Sequence, residues 1–291
     1  MNKLEFLEDL YKVSCLDKAS INLRTSSEER QAYKTADNLF KEKYGNSYHF
    51  YRVYSFTNEA LQKIFEMFDL KDRKALVISG SGDPAIECLA QGITDITMLD
   101  INPFSEIYTN AKLSGFDFDE SLYEGMFRAE KVSPQLVSTV KNYTGIDASG
   151  LEILTNHQLL DNLFSTRNHK VENVKLTSIL DKYETIRTNL KIAKLKSRVG
   201  NVLNSLDYYQ GQGFDFIYFS NINAGYSKEM WTAFVESITE NLLNKDGIFI
   251  LGHDETYSSL KYKIEQEFIK FSIIVSSDFE SVESNFSYIR K

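Results

Sequence analysis

The stretch Ala75-Leu-Val-Ile-Ser-Gly-Ser-Gly-Asp-Pro84 decides the fold. Its first part, 75–79, is a short apolar run that ends at glycine, which is typical of a strand buried on both faces of a sheet. Residues 84–91 predict a helix, because proline suits the first turn, where the N–H that it lacks is not needed. Gly92 ends this helix, and 93–100 predicts a second strand. Strand, helix and strand in succession form a βαβ unit with a right-handed crossover.

Four later segments extend the sheet. Apolar runs predict strands at 214–219 and 247–252, and the amphipathic pattern of 228–243 predicts the helix between them. The segments 271–276 and 286–290 predict a closing antiparallel hairpin with a long loop. The expected fold class is α/β, with a mainly parallel sheet of about seven strands.

The remaining chain predicts helical additions to this sheet. Residues 1–70 have helical spacing and are interpreted as an N-terminal helical cap. Residues 105–192 contain no convincing strand and are too long for a loop inside a compact domain. We therefore expect an α/β domain at 71–291, which contains the glycine-bounded strand described above and carries a helical insertion at about 105–192.

Composition limits the classes of function. The chain has 291 residues and a net charge of −8, which argues against broad electrostatic binding to nucleic acid. Its two cysteines, Cys15 and Cys88, are too few for a disulfide framework. Acidic residues stand where a signal peptide would be apolar, and no run reaches the roughly 18 apolar residues of a membrane-spanning helix. The expected location is the cytoplasm.

A glycine loop joins the first predicted strand to its helix. Gly80, Gly82 and Ala85 fit the pattern G-x-G-x-x-G/A, and Asp100 follows at the end of the second strand. Two glycines allow a tight turn and a close approach to a ligand, while a carboxylate across the crevice accepts hydrogen bonds from ribose hydroxyls. This pattern predicts nucleotide-type binding. The alternative is a plain strand-to-helix turn, with Asp100 capping a helix.

Four ordered motifs resemble those of class I S-adenosylmethionine-dependent methyltransferases, which have a Rossmann-like fold. They are a glycine loop, a ribose acid, a fourth strand with its following loop, and a later glycine-containing strand. The resemblance covers 71–104 and 195–291. The motifs are Leu76-Val-Ile-Ser-Gly-Ser-Gly-Asp83, Met98-Leu-Asp-Ile-Asn-Pro103, Phe214-Asp-Phe-Ile-Tyr-Phe-Ser-Asn-Ile222 and Leu243-Asn-Lys-Asp-Gly-Ile-Phe-Ile250.

The resemblance implies S-adenosylmethionine as the cofactor, with a site built from loops at the carboxyl ends of the strands. Polar residues after the strand 214–219 have an alternative interpretation as plain turn residues. No catalytic residue and no metal ligand is assigned. The cofactor-binding candidates are Ser79, Gly80, Ser81, Gly82, Asp83, Asp100, Ile101, Asn102, Asn201, Ser220 and Asn221.

One position departs from the methyltransferase pattern. Methyltransferases usually place an acid two residues before the first glycine, and here that residue is Ile78. This departure and the short motifs are similar to the 3-amino-3-carboxypropyltransferase group of betaine-lipid synthesis, which uses the same cofactor. The resemblance thus implies methyl transfer to a small-molecule acceptor, or transfer of the aminocarboxypropyl arm. An NAD(P)-dependent oxidoreductase and a non-catalytic binding protein remain alternatives.

Two other clusters have competing interpretations. The residues that follow the strand 247–252 are interpreted as solvated loop charges rather than as a base or metal site: His253, Asp254 and Glu255. An aromatic segment before residue 57 is interpreted as core or as a lid over the cofactor: Tyr48, Tyr51, Tyr54 and Phe56. The resemblance implies an N-terminal segment over the cofactor, which makes Asn58 and Glu59 candidates to reach its amino-acid end.

Overall fold

The computed structural model describes residues 41–42, 56–57, 59–127, 176–202, 208–220, 234–253, 269–276 and 281–290. The chain divides into two compact units. The first unit comprises 1–57, 80–82 and 100–183, and the second comprises 58–79, 83–99 and 184–291. The division predicted from sequence, a cap at 1–70 and an insertion at about 105–192, stays a prediction.

Seven strands form one sheet. They are β1 (Lys74–Ile78), β2 (Asp95–Asp100), β3 (Lys194–Val199), β4 (Phe214–Ser220), β5 (Leu243–His253), β6 (Ile269–Ser276) and β7 (Ser281–Arg290). Their order across the sheet is β3-β2-β1-β4-β5-β7-β6. β1 is parallel to β2 and β4, and β4 is parallel to β5, whereas β7 is antiparallel to both β5 and β6. The predicted α/β class with a mainly parallel seven-stranded sheet is confirmed.

The central strands form because their sequences suit burial on both faces. The middle of β1 is fully buried, and so are Phe216 to Phe219 in β4. The two strands pair in parallel through Ala75 with Phe216 and Val77 with Tyr218. Apolar residues without alternation predict such strands, since both sheet faces are covered by other elements. Burial therefore explains why the sequence pattern located β1 and β4 to within one residue.

Two features of the sheet correct the sequence analysis. The predicted long loop in the closing hairpin is wrong, because β6 ends at Ser276 and β7 begins at Ser281. β3 was not predicted at all. Its sequence, Lys-Leu-Lys-Ser-Arg-Val, is polar and largely exposed because β3 lies at the edge of the sheet. An exposed edge strand lacks the apolar pattern by which buried strands are recognised.

A short helix, Asp83–Ala90, connects β1 to β2 and ends in a Schellman motif. The N–H of Gly92 donates to the carbonyl of Leu89 at 3.1 Å, and the N–H of Ile93 donates to that of Cys88 at 2.9 Å. Gly92 has a φ of +83°, which glycine adopts without strain. The Cys88 side chain is fully buried, and burial, with a smaller effect of nearby Glu87, raises the pKa of its thiol well above the usual value.

The first unit contains helices and an aromatic core. Its described elements include the helix Pro103–Ser114, a 3-10 turn at Gly115–Asp117 and the helix Glu120–Phe127. The rings of Phe116, Tyr123 and Tyr183 pack with centroids 4.5–5.5 Å apart. The Tyr183 hydroxyl donates to the carbonyl of Phe118 at 3.0 Å, so the buried phenol has a partner. Aromatic packing of this kind stabilises the unit through apolar burial and ring geometry.

Further helices cover the second unit. Leu61–Phe65 packs the ring of Phe65 against Phe216 and Tyr218 of β4, with centroids 4.8 and 5.3 Å apart. Tyr183–Leu190 precedes β3, and the predicted helix at 228–243 is described from residue 234, ending in a π-helical turn, Ile238–Leu242. None of the helices in the described ranges is both long enough and apolar enough to cross a bilayer.

Candidate functional site

Asp100, the last residue of β2, joins the glycine loop to the segment that follows β2. One oxygen of its carboxylate accepts a hydrogen bond from the N–H of Gly80 at 2.8 Å. The other accepts from the N–H of Asn102 at 2.9 Å. Asp100 is only 2% exposed. The sequence predicted this carboxylate as a ribose acceptor across a crevice from the loop, and that role stays a prediction. In the structure the carboxylate is hydrogen-bonded to the loop directly.

The two loop glycines have different surroundings. Both have positive φ, +50° at Gly80 and +85° at Gly82, where other residues are strained. A Cβ placed on Gly80 would meet nothing within 4 Å, whereas one on Gly82 would lie 3.2 Å from both Cα and Oγ1 of Thr109. Gly82 therefore allows the helix Pro103–Ser114 to pack closely, and Gly80 leaves open space beside the loop.

The same helix places a buried lysine under the loop. Lys112 has no exposed surface, and its Nζ donates to the carbonyl of Ser81 at 3.2 Å. Nζ lies 3.8 Å from the ring centroid of Phe56, 5.7 Å from that of Tyr108 and 5.8 Å from that of Phe127. Aromatic faces attract a cation at these distances. Sequence analysis missed Lys112 because a lysine at a helix position normally predicts an exposed side chain.

Asn102 and Pro103 position this helix. Asn102 is fully buried and precedes the first helical residue, Pro103, which is the arrangement that favours a helix start. Its carbonyl accepts from the N–H of Ser105 at 3.0 Å. The alternative interpretation has Asp100 capping a helix, but its carboxylate bonds the N–H of Asn102, which precedes the helix. Asp100 therefore has a structural role in the turn before the helix.

The other predicted cofactor-binding residues are distributed as follows. Ser79 is buried and its N–H donates to the carbonyl of Leu99 at 2.9 Å. Asp83 is buried in the first turn of its helix, and Ile101 lies at a partly buried bend. Asn201 follows β3, and Ser220 is the last residue of β4. Asn221 lies outside the described residues, as do Asn58, Tyr48, Tyr51, Tyr54, Asp254 and Glu255.

A second polar group was not predicted from sequence. The hydroxyl of Tyr218 in β4 donates to Glu59 at 2.7 Å, and both residues are buried. Burial raises the pKa of the Tyr218 hydroxyl well above its usual value, as do the charge of Glu59 and the bond to it, while a hydrogen bond from the Ser220 side chain opposes the shift. Ser220, Tyr218 and Glu59 thus form a connected chain that begins at the carboxyl end of β4.

Ile78, at the position where methyltransferases usually place an acid, packs against the hydrophobic cluster of the second unit. That cluster includes Leu76, Ile217, Phe219 and Phe249. An apolar side chain in this environment cannot pair with an ammonium group. Within the ranges that the structure describes, no group of three or more His, Cys, Asp or Glu side chains is arranged to hold a metal ion.

The loop and Asp100 fit a nucleoside cofactor. Open space beside Gly80 allows a ligand to approach the backbone closely. A carboxylate is the group that accepts hydrogen bonds from ribose hydroxyls, and Asp100 stands at the end of its strand beside the loop, where it also accepts from two backbone N–H groups. In parallel α/β sheets, ligands bind outside the carboxyl ends of the strands, and Asp100 ends β2.

Comparison with protein-family models found no match, and comparison with curated proteins found none. Similar chains exist among solved structures. The rRNA methyltransferase aviRa from Streptomyces viridochromogenes is 11% identical, with a TM-score of 0.43, 81% of this chain covered and 85% of that chain. Precorrin-6y C5,15-methyltransferase from Geobacter metallireducens is 10% identical, with a TM-score of 0.36 and coverages of 80% and 86%.

The sheet itself establishes the fold class. Its seven strands, its parallel centre and its antiparallel β6–β7 end are all present in the described residues. On this topology, the chain has the Rossmann-like α/β fold that a resemblance to class I methyltransferases implies.

Proposed function

We propose that this chain is an S-adenosylmethionine-dependent transferase that moves a methyl group to a small-molecule acceptor. The observation that carries the proposal is the pair of bonds from Gly80 and Asn102 to the Asp100 carboxylate, next to two glycines with positive φ. Asp100 is the acceptor for the ribose hydroxyls, and Gly80 is the point of close backbone approach.

Few reactive groups are needed for this chemistry. The cofactor, when bound, supplies a sulfonium whose attached carbons are electrophilic. The chain must then hold the acceptor in line, at about 3–3.5 Å from the reacting carbon, and exclude water. A proposed transferase site built from backbone groups and one carboxylate is consistent with this requirement.

A net charge of −8 supports a small molecule rather than a nucleic acid as the acceptor, and this class of acceptor is part of the proposal. Calorimetry with S-adenosylmethionine, adenosylhomocysteine and NADH tests its cofactor. We expect the two adenosyl compounds to bind more tightly than NADH. Tight NADH binding without binding of either adenosyl compound would show an oxidoreductase-type site instead.

Transfer of the 3-amino-3-carboxypropyl arm is the second candidate. The observation that favours it is the apolar packing of Ile78, which removes the usual acidic anchor for the ammonium group of the arm. Product analysis separates the two candidates. Adenosylhomocysteine reports loss of the methyl group, and methylthioadenosine reports loss of the arm. Adenosylhomocysteine as the sole product, with a methylated acceptor, would exclude arm transfer.

A further inference from the structure

We propose that Lys112 is a positioning residue that turns the Ser81–Gly82 peptide so that the loop binds a carboxylate, that of the cofactor's amino-acid arm. The inference rests on the proposed function and deepens it. It assigns the carboxylate of the cofactor to the Ser81–Gly82 end of the loop, and it assigns Lys112 as the side chain that orients this end.

The position of the lysine leaves little freedom. Lys112 has no exposed surface, its Nζ donates to the Ser81 carbonyl at 3.2 Å, and the Phe56 ring lies 3.8 Å from Nζ. The rings of Tyr108 and Phe127 lie further out, at 5.7 and 5.8 Å. A cation surrounded by aromatic faces is held by both attraction and packing, so the bond to Ser81 has a fixed direction.

That bond fixes the orientation of the whole peptide unit. In a planar trans peptide, the carbonyl and the following N–H point in opposite directions. Because the Ser81 carbonyl points toward Lys112, the N–H of Gly82 points away from it. Thr109 of the same helix packs against Gly82, at 3.2 Å from the position that a Cβ would occupy. Residues 109 and 112 share one face of the helix, so this face holds both residues of the peptide.

An N–H presented by glycines of positive φ favours an anion. The proposed cofactor has one anionic group, the carboxylate of its amino-acid arm. Other adenosyl compounds lack it: decarboxylated S-adenosylmethionine has the ammonium and sulfonium alone, and methylthioadenosine has no arm. The inference thus predicts a preference for the carboxylate that these ligands can measure.

Calorimetry with the full chain and four ligands tests the role of Lys112. Wild type is expected to bind S-adenosylmethionine and adenosylhomocysteine about 10-fold or more tightly than the decarboxylated compound and methylthioadenosine, as for a hydrogen bond to a charged group. Lys112→Met should remove most of this preference while changing affinity for the two ligands without a carboxylate by about 3-fold or less. Lys112→Arg, which keeps a cationic donor, should restore part of it.

Lys74→Met is the matched control. Lys74 also donates from Nζ to a carbonyl, that of Gln212, and lies 4.8 Å from the Phe214 ring centroid, but it belongs to β1. Its variant should keep the carboxylate preference. An equal loss of all four affinities in Lys112→Met would assign Lys112 a merely structural role and overturn the inference. Unchanged affinities, or a wild type without the preference, would also overturn it.

A measurement on the wild type covers the case in which Lys112→Met does not fold. Labelling with carbonyl-13C serine and 15N glycine selects the glycines that follow serine, which are Gly80, Gly82, Gly115 and Gly150. The Gly82 amide signal should shift with adenosylhomocysteine and not with methylthioadenosine. Identical spectra with the two ligands would overturn the inference, whereas failure of every adenosyl compound to bind would overturn the proposed function itself.

Discussion

The glycine loop and the Glu59–Tyr218–Ser220 chain are two polar groups assembled in different ways. In the loop, a carboxylate binds backbone N–H groups, and its partners are 20 and 2 residues away along the chain. In the second group, a side chain binds a side chain 159 residues away. The loop is a backbone motif with a sequence signature. The bond between Tyr218 and Glu59 forms only in the completed fold, and no pattern near either residue in the sequence predicts it.

This difference predicts different responses to substitution. A backbone motif is sensitive to changes that alter φ or occupy space, because its geometry cannot adjust without moving the chain. A buried side-chain pair is sensitive to loss of one partner, because the other is then left without a hydrogen-bond partner in a low-dielectric environment. The four predictions below test this distinction, beginning with the largest expected effect.

Gly82→Ala should be the most destabilising of these variants. It combines backbone strain at φ +85° with a Cβ 3.2 Å from the Thr109 backbone, and together these cost about 2–4 kcal/mol. Gly80→Ala is the matched control, since its Cβ meets nothing within 4 Å and only strain remains, about 1–2 kcal/mol. Chemical denaturation measures both values. Equal losses would show that packing against Thr109 contributes nothing.

Asp100→Asn should weaken binding of adenosylhomocysteine by about 1–3 kcal/mol, because an amide retains one acceptor oxygen where the carboxylate offers two. The amide also cannot accept from both Gly80 and Asn102. Asp95→Asn, at the opposite end of β2, is the control and should leave affinity unchanged. Calorimetry provides the measurement. An unaltered affinity for Asp100→Asn would remove Asp100 from the proposed ribose site.

Tyr218→Phe should destabilise the protein by about 1–2 kcal/mol, because it removes a hydrogen-bond donor from the buried carboxylate of Glu59. Tyr209→Phe is a matched control. The Tyr209 hydroxyl is buried and, in the part of the chain that the structure describes, has no hydrogen-bond partner. Its removal should therefore be neutral or slightly stabilising. If the denaturation midpoints of the two variants fall equally, the hydrogen bond between Tyr218 and Glu59 does not stabilise the protein.

The last prediction concerns alkaline stability, where an effect is expected only above about pH 9. Burial, the main cause, raises the pKa of Tyr209 to about 12, while the Arg198 charge lowers it and Tyr208 raises it. The pKa of this tyrosine is higher in the folded protein than in the unfolded chain, where it is near 10. Its contribution to stability is therefore fully present below pH 10 and is lost as the pH rises toward 12. The free energy of unfolding, measured by denaturation between pH 9 and pH 12, should therefore fall less steeply with pH for Tyr209→Phe than for wild type. Parallel curves would contradict this.

The sequence predicted those features that depend on neighbouring residues. β1, β2 and β4 are apolar runs, and the glycine loop and the strand-terminal Asp100 were recognised by their spacing, whereas the direct bond between Gly80 and Asp100 was not predicted. Features that depend on packing between distant segments were missed. Lys112 is polar at a buried helix position, and its surroundings of Phe56, Tyr108 and Phe127 exist only after folding.

Glu59 illustrates the same limit. The resemblance made it a candidate to reach the amino-acid end of the cofactor, and that role stays a prediction. Its observed partner, Tyr218, was interpreted only as part of an apolar strand. Phe56, by contrast, is buried at 4% exposure and in contact with Phe127, which favours the core interpretation over a lid for this residue.

The reactivity of the buried Cys88 thiol can be used to measure opening of the helix Asp83–Ala90, in which it lies. The thiolate is the form that reacts with thiol reagents, and a fully buried thiol with a raised pKa is protected from them until the helix opens. In a Cys15→Ser background, the labelling rate of Cys88 then measures the free energy of opening next to the glycine loop. A ligand that binds only while the helix is closed should slow the labelling of Cys88 as its occupancy rises. The labelling rate therefore measures ligand binding even when the acceptor is not known.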